Sequence, residues 1–371
     1  MRKILFLPFL QIPTGHHQVA DALAHSLQKR LLATSLKKVD FLSYIDERIE
    51  RIVTSTYLKW IGYSPQTYDW VYRSFLYSAS RPKRSLQSKS LLQNKMLMLL
   101  EEEHPDLVVC TQAYPSYIID TLKEQGKLTI PVINVYTDFF INRIWGLKAI
   151  DYHFVPDSTL KNYLFNYLQI PREKIVVTGI PIDERFTFSP RTKLKGPPYR
   201  ILISGGNGGM GNILNLLATL NGAPRFNYLV LCGYNYKLFE QITALKRGDL
   251  FPLSYISSRE EMNSLYDRVD AIITKPGGVT ISEALYKKLP IFVHYALPGQ
   301  EEINLKYLKA NGFVHELNSQ SPVEEQLWDV LNDQARLSSW DKRVEDYRLH
   351  LEKPAWQKIC ELSETVGRNY W

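Results

Sequence analysis

Short apolar runs alternate with stretches of helical periodicity along almost the whole chain. The runs predict strands at Ile4–Pro8, Val39–Leu42, Leu107–Thr111, Val132–Tyr136, His153–Val155 and Ile175–Val177. A second set is predicted at Arg200–Ser204, Tyr228–Cys232, Leu253–Ile256, Ala271–Thr274, Ile291–Val293 and Phe313–His315. Strands that alternate with amphipathic helices build parallel α/β sheets. Between the two sets, GIPIDERF runs into SPRTKLKGPPYR, which is rich in proline, glycine and basic residues and reads as a linker. The expected organisation is a first parallel α/β domain over 1–180, a linker over 181–199 and a second such domain over 200–340. Helices over 341–371, interrupted by Pro354, are expected to return to the first domain.

Bulk properties fit this pattern. At 371 residues the chain is too long for one ordinary core. The three cysteines, Cys110, Cys232 and Cys360, show neither metal spacing nor a disulfide framework, as in a reducing cytoplasm. The opening MRKILFLPFL has a short apolar stretch, holds a proline and leads straight into an amphipathic helix, so a buried first strand is expected and not a signal peptide. No apolar run is long enough to cross a membrane as a helix.

The most informative stretch is KPGGVTISE, Lys275 to Glu283. A strand ends at Thr274 and a helix begins near Val279, with Gly277 and Gly278 between them. Unpaired backbone N–H groups, the positive end of the helix and the Lys275 ammonium together favour a phosphate. Glu283, one turn on, can reach a ribose hydroxyl. The alternative is a turn that needs glycine only for positive φ.

Other candidates follow strand ends, where ligands collect in open α/β sheets. His16 opens the helix after the first strand and suits a general base, or is a solvated helix-start residue. Asp138 ends VINVYTD as a base, a sugar ligand, a partner for His16 or a cap. Asn235, after Cys232-Gly233, contacts a base or phosphate or makes an Asx-turn. Gln300 and Glu301, in PGQEE, suit sugar hydroxyls or cap a helix. Ser204 to Gly211 forms a glycine loop, SGGNGGMG.

Together TGHHQVA, YTDFFINRIW, VTGIPI, SGGNGGMG, TKPGGVTISEA and PGQEEIN resemble bacterial processive diacylglycerol glucosyltransferases and plant monogalactosyldiacylglycerol synthases, with a more general likeness to the peptidoglycan N-acetylglucosaminyltransferase. The resemblance spans nearly the whole chain. It implies the GT-B fold, two Rossmann-like domains whose parallel sheets face an interdomain cleft, and an inverting transfer of a hexose from a UDP-sugar to a lipid. It implies no cofactor and no nucleotide-bound metal. By the same similarity, His16 is the candidate base and Asp138 matches the aspartate of the family's TDF motif, the second catalytic candidate. Gly206, Gly209 and Met210 lie near the diphosphate, as do Gly277, Gly278 and Thr280. Glu283 holds the ribose, Gln300 the donor sugar, and the backbone at Ile256 the uracil edge. The chain departs from the pattern at PTGH, Asn142 and Leu147, on the acceptor side.

The net charge of +7 is unevenly placed: residues 57–95 carry seven basic residues against Asp69 alone. Tyr57, Trp60, Tyr63, Tyr68, Trp70, Tyr72, Phe75 and Tyr77 accompany them. Aromatics beside Lys and Arg suit an anionic membrane surface at the cytoplasmic face; packing on the first domain is the alternative. No nucleic-acid-binding module is recognised. The expected protein is therefore a peripheral UDP-sugar-dependent hexosyltransferase acting on a lipid such as diacylglycerol. A soluble acceptor, or a nucleotide-sugar epimerase or sensor on the same fold, are the rivals.

Overall fold

The computed structural model describes residues 2–9, 14–48, 50–51, 86–188, 196–205 and 213–366. Gly206, Gly209, Met210, residues 189–195 of the expected linker and residues 57–85 of the basic aromatic segment lie outside the described residues. Unit 1 comprises Met1–Asp183 and His350–Trp371, and unit 2 comprises Glu184–Leu349.

Unit 1 holds β1 (Arg2–Leu7), β2 (Thr34–Lys38), β3 (Leu107–Cys110), β4 (Val132–Val135), β5 (Tyr152–Val155) and β6 (Ile175–Val177). They form one parallel sheet in the order β2-β1-β3-β4-β5-β6. Strands covered on both faces read as continuous apolar runs, and the four residues of LVVC and of VINV are all buried. Residues 34–38 correct the expected strand at Val39–Leu42. The edge strand is TSLKK, half-exposed and polar, so its hydrophobic signal is weak. Phe41 and Leu42 are instead the buried start of the short helix Phe41–Ile45.

Unit 2 holds β7 (Tyr199–Ser204), β8 (Phe226–Leu231), β9 (Leu250–Leu253), β10 (Ala271–Thr274), β11 (Ile291–Val293) and β12 (His315–Glu316). Their order is β12-β11-β10-β7-β8-β9, again all parallel. This is the doubly wound order, in which the chain moves outward from one side of the first strand and then from the other. The expected strand Leu253–Ile256 is corrected to 250–253. Pro252 is tolerated because β9 is an edge strand, and Tyr255 leaves the sheet to stack on Tyr234, ring centroids 3.9 Å apart.

The first part of the expected linker is packed onto unit 2. Phe186 is 2% exposed and its ring lies 5.7 Å from that of Tyr266. Lys287 Nζ donates to the Thr187 carbonyl at 2.7 Å. At the other end, Glu352 N–H donates to Val177 O at 2.8 Å, and the Glu352 carboxylate accepts from Lys161 Nζ at 2.5 Å, so the chain rejoins unit 1 at its sheet edge. Helix Ala355–Val366 then packs on unit 1, with the Arg30 guanidinium 3.9 Å from the Trp356 ring centre.

Candidate active site

Each sheet has one point where the strand order reverses: between β1 and β3 in unit 1, and between β7 and β10 in unit 2. Loops diverge at such a point and leave a crevice beyond the strand ends. His16 follows β1 and Lys275 to Glu283 follow β10, at these two places.

In unit 1, helix Gly15–Gln28 starts beyond β1 and carries His16 in its first turn. His16 Nδ1 lies 3.0 Å from the carbonyl oxygen of Thr111, just past β3. Thr137 Oγ1, just past β4, lies 2.7 Å from the same nitrogen. A carbonyl can only accept, so the Thr111 contact puts the proton on Nδ1 and leaves the Nε2 lone pair as the basic site. Desolvation lowers the His16 pKa below its ordinary value; the Asp138 carboxylate and the Thr111 carbonyl oppose this, and His17 adds to it. The helix N-terminus acts in the same sense, since its partial positive charge disfavours an imidazolium. His16 is thus held neutral, in the tautomer a general base needs. Thr111 and Thr137 are the groups in hydrogen-bond reach of His16 Nδ1. Asp138 influences it through charge.

The loop that carries Asp138 is pinned at its far end. Gly146 lies so close to helix Ala113–Glu124 that a Cβ there would sit 2.4 Å from Asp120 Cβ and 2.5 Å from the Ser116 carbonyl. Its carbonyl accepts from Asn134 Nδ2 at 2.8 Å, and its N–H donates to Ser116 Oγ at 3.1 Å. Trp145 packs edge-on against Tyr136, and the Tyr136 hydroxyl lies 2.8 Å from His153 Nδ1. Burial pushes His153 down to about 3, so this inner network is uncharged at neutral pH. Asn142 and Leu147, the departures from the family pattern, have local roles. Asn142 Oδ1 accepts from the Ile144 N–H at 3.0 Å, and Leu147 packs against the core.

In unit 2, β10 delivers Lys275 to helix Gly278–Tyr286. Gly277 is the N-cap, with φ −82° and ψ 137°, and no side chain caps the helix or adds an acid to its first turn. Any residue adopts those angles, so the turn does not need glycine for positive φ. Nor does packing demand it: a Cβ on Gly277 would find no protein atom within 4 Å. Neighbouring helices are capped by their own side chains, Asn235 on Leu238 N–H and Ser258 on Glu261 N–H. The start of helix 278–286 keeps its amides clear instead. Lys275 Nζ donates to Glu301 Oε1 at 2.9 Å, and Glu301 Oε2 accepts from the Leu297 N–H at 2.7 Å. Glu283 is 6% exposed. Its Oε2 accepts from the Tyr266 hydroxyl at 3.0 Å, and its Oε1 lies 4.0 Å from Arg259 Nη1.

The remaining candidates are placed as follows. Gly233 has φ +58°, so the turn after β8 does call for glycine there. The Asn235 side-chain Oδ1 is engaged as the cap, accepting from the Leu238 N–H at 3.0 Å. Ile256 lies in the stretch between β9 and helix Arg259–Arg268, and its backbone has no backbone partner among the described residues. Gln300 opens helix Gln300–Ala310, and Thr280 lies in the first turn after Gly277, partly exposed. Thr111, Thr137, Tyr266 and Arg259 escaped the sequence reading. Their contacts join residues far apart in sequence, and nothing in local spacing marks them. Among the described residues no group of three or more His, Cys, Asp or Glu is arranged to hold a metal, and no helix is long and apolar enough to cross a membrane.

The pattern of monogalactosyldiacylglycerol (MGDG) synthase matches residues 16–182. An uncharacterised glycosyltransferase of Bacillus subtilis, YkoN, is 40% identical over 95% of this chain and 92% of its own. A processive diacylglycerol beta-glucosyltransferase of Bacillus cytotoxicus is 28% identical over 87% of this chain and 84% of its own. Among solved structures, MurG of Acinetobacter baumannii superposes with a TM-score of 0.63 over 98% of this chain and all of its own, at 16% identity, which speaks for the fold. With two doubly wound parallel sheets and full-length similarity to such enzymes, the chain belongs to the GT-B glycosyltransferases of the diacylglycerol glucosyltransferase and MGDG synthase family.

Proposed function

We propose that this glycosyltransferase moves a hexose from a UDP-sugar to a hydroxyl of a membrane lipid such as diacylglycerol, with inversion at the anomeric carbon. The observation that carries the donor half is the bare start of helix 278–286: a cap residue that neither φ nor packing requires to be glycine, beside Lys275. Amides and an ammonium so placed stabilise the charge that develops on a departing nucleoside diphosphate. A diphosphate held this way needs no bound metal to balance its charge. Glu283 takes the ribose, and Gln300 and Glu301 the hexose. Gly206, Gly209 and Met210 add to the diphosphate site, and Ile256 meets the base.

His16 supplies the acceptor half. Its Nε2 accepts the proton of the attacking hydroxyl while that oxygen bonds the anomeric carbon and the bond from that carbon to the diphosphate breaks. UDP leaves as an anion, and the proton stays on the imidazole until solvent removes it. Asp138 steadies the imidazolium formed in the step, because its charge raises the His16 pKa. The lipid acceptor is supported by similarity to enzymes named for diacylglycerol, and residues 57–95 are the proposed contact with an anionic membrane at the cytoplasmic face.

The decisive experiment offers the protein a panel of UDP-hexoses with and without diacylglycerol vesicles, with products read by mass spectrometry. One UDP-hexose should be consumed only when the lipid is present, giving a hexosyl-diacylglycerol. Transfer to soluble acceptors alone, or interconversion of the UDP-sugar without any acceptor, would overturn the proposal.

A further inference from the structure

Glu283 is a buried carboxylate, and the residues around it account for its orientation. Helix Arg259–Arg268 brackets it from one side. Tyr266 donates its hydroxyl to Oε2 at 3.0 Å, and Arg259, seven residues earlier and so on the same face of that helix, lies 4.0 Å from Oε1. Tyr266 is itself 2% exposed. Its ring is held by Phe186, 5.7 Å away at 36°. Burial and the Glu283 charge push the Tyr266 pKa well above 10, so the hydroxyl stays a donor at any physiological pH.

We propose that Tyr266 is a positioning residue: by holding Glu283 through Oε2 it sets the orientation in which the carboxylate meets the hydroxyls of a ribose, and so makes donor binding depend on those hydroxyls. The proposal rests on the reading of unit 2 as a UDP-sugar site. A hydroxyl bonded to one oxygen of a carboxylate restricts rotation of the whole group and so fixes where its second oxygen lies. Sites that hold a ligand group firmly in place owe that to a supporting shell of packing and hydrogen bonds. A site built to bond hydroxyls also rejects the analogue that lacks them, because its own buried polar groups are then left unpaired.

The test compares binding of UDP and 2′,3′-dideoxyuridine diphosphate by calorimetry, using the full chain. The wild type should prefer UDP by about ten-fold or more, the loss of one or two hydrogen bonds. Tyr266→Phe keeps the ring against Phe186 and removes one oxygen. It should lower UDP affinity by roughly five- to ten-fold, leave the dideoxy compound unchanged, and leave kcat at saturating donor unchanged. In a Glu283→Gln background, Tyr266→Phe should add no further loss for UDP, since the carboxylate it orients is gone; this arm also avoids a buried unpaired charge. Equal losses for both nucleotides, or fully additive losses in the double variant, would overturn the positioning role. If the wild type binds both nucleotides alike, the ribose role of Glu283 and this inference fall while the transferase proposal stands. If the wild type binds neither, the donor site itself is refuted.

Discussion

The reversal points of the two sheets share one architecture and carry different side chains. In both, a helix starts at the carboxyl end of a strand beside the crevice, so the same unpaired amides and the same positive field are on offer. In unit 1 the first turn of that helix carries an imidazole, which the field and desolvation hold neutral; the Thr111 carbonyl fixes its tautomer, and the Thr137 hydroxyl lies beside the same nitrogen. In unit 2 the helix opens on two glycines, Gly277 as its cap and Gly278 as its first residue, and a Cβ on Gly277 would meet no protein atom within 4 Å. Under the proposed function, the first of these helix starts accepts a proton and the second holds an anion.

The contrast can be broken from either side. The largest effect is expected from His16→Ala. Transfer should fall by a factor of about 10²–10⁴ while calorimetry shows UDP binding intact; near-normal turnover would remove His16 as the base. Gly277→Ala tests the other side. The fold should hardly notice, with a thermal midpoint within about 3 °C of wild type, because an N-cap glycine-to-alanine change costs at most about 1 kcal/mol. UDP affinity should drop by about ten-fold or more, since the added methyl occupies the place of the ligand. A variant that binds UDP as the wild type does would mean that no phosphate approaches this turn.

Thr137→Val should reduce kcat by about five-fold, the worth of one hydrogen bond, without changing donor KM. A change in KM alone would place Thr137 in binding and not in orienting the base. The smallest effect is a shift along the pH axis. The His16 pKa is lowered, so the base is neutral, and activity at its plateau, down to below the ordinary histidine value. Asp138 raises that pKa. Asp138→Asn should therefore move the acid limb of the kcat/KM profile to lower pH, whereas a shift to higher pH would contradict the electrostatics described.

Much of this was legible in the chain itself. Parallel strands covered on both faces announce themselves as apolar runs, and LVVC, VINV, IVV and AIIT each mark a strand. The miss at 34–38 has a plain cause: an edge strand with Lys37 and Lys38 exposed carries little hydrophobic signal, while the neighbouring buried Phe41 and Leu42 belong to a helix. At the sites, residues at strand ends and helix starts stood out because their backbone context is local. Thr137 meets His16 across 121 residues. Tyr266 meets Glu283 from another helix. Its position in an amphipathic helix looks like any other core aromatic. Spacing along a chain reports what one element can present; it does not report what a second element brings to it.

The packing of Phe188 has a practical corollary. The Arg348 guanidinium lies 4.5 Å from that ring, so the opening and closing segments of unit 2 are clasped together. Unit 2 is thereby a self-closed insert within the sequence of unit 1, and 184–349 forms a natural unit for excision. Produced alone, it would test the proposed donor site apart from the rest of the chain: it should bind UDP in the absence of unit 1.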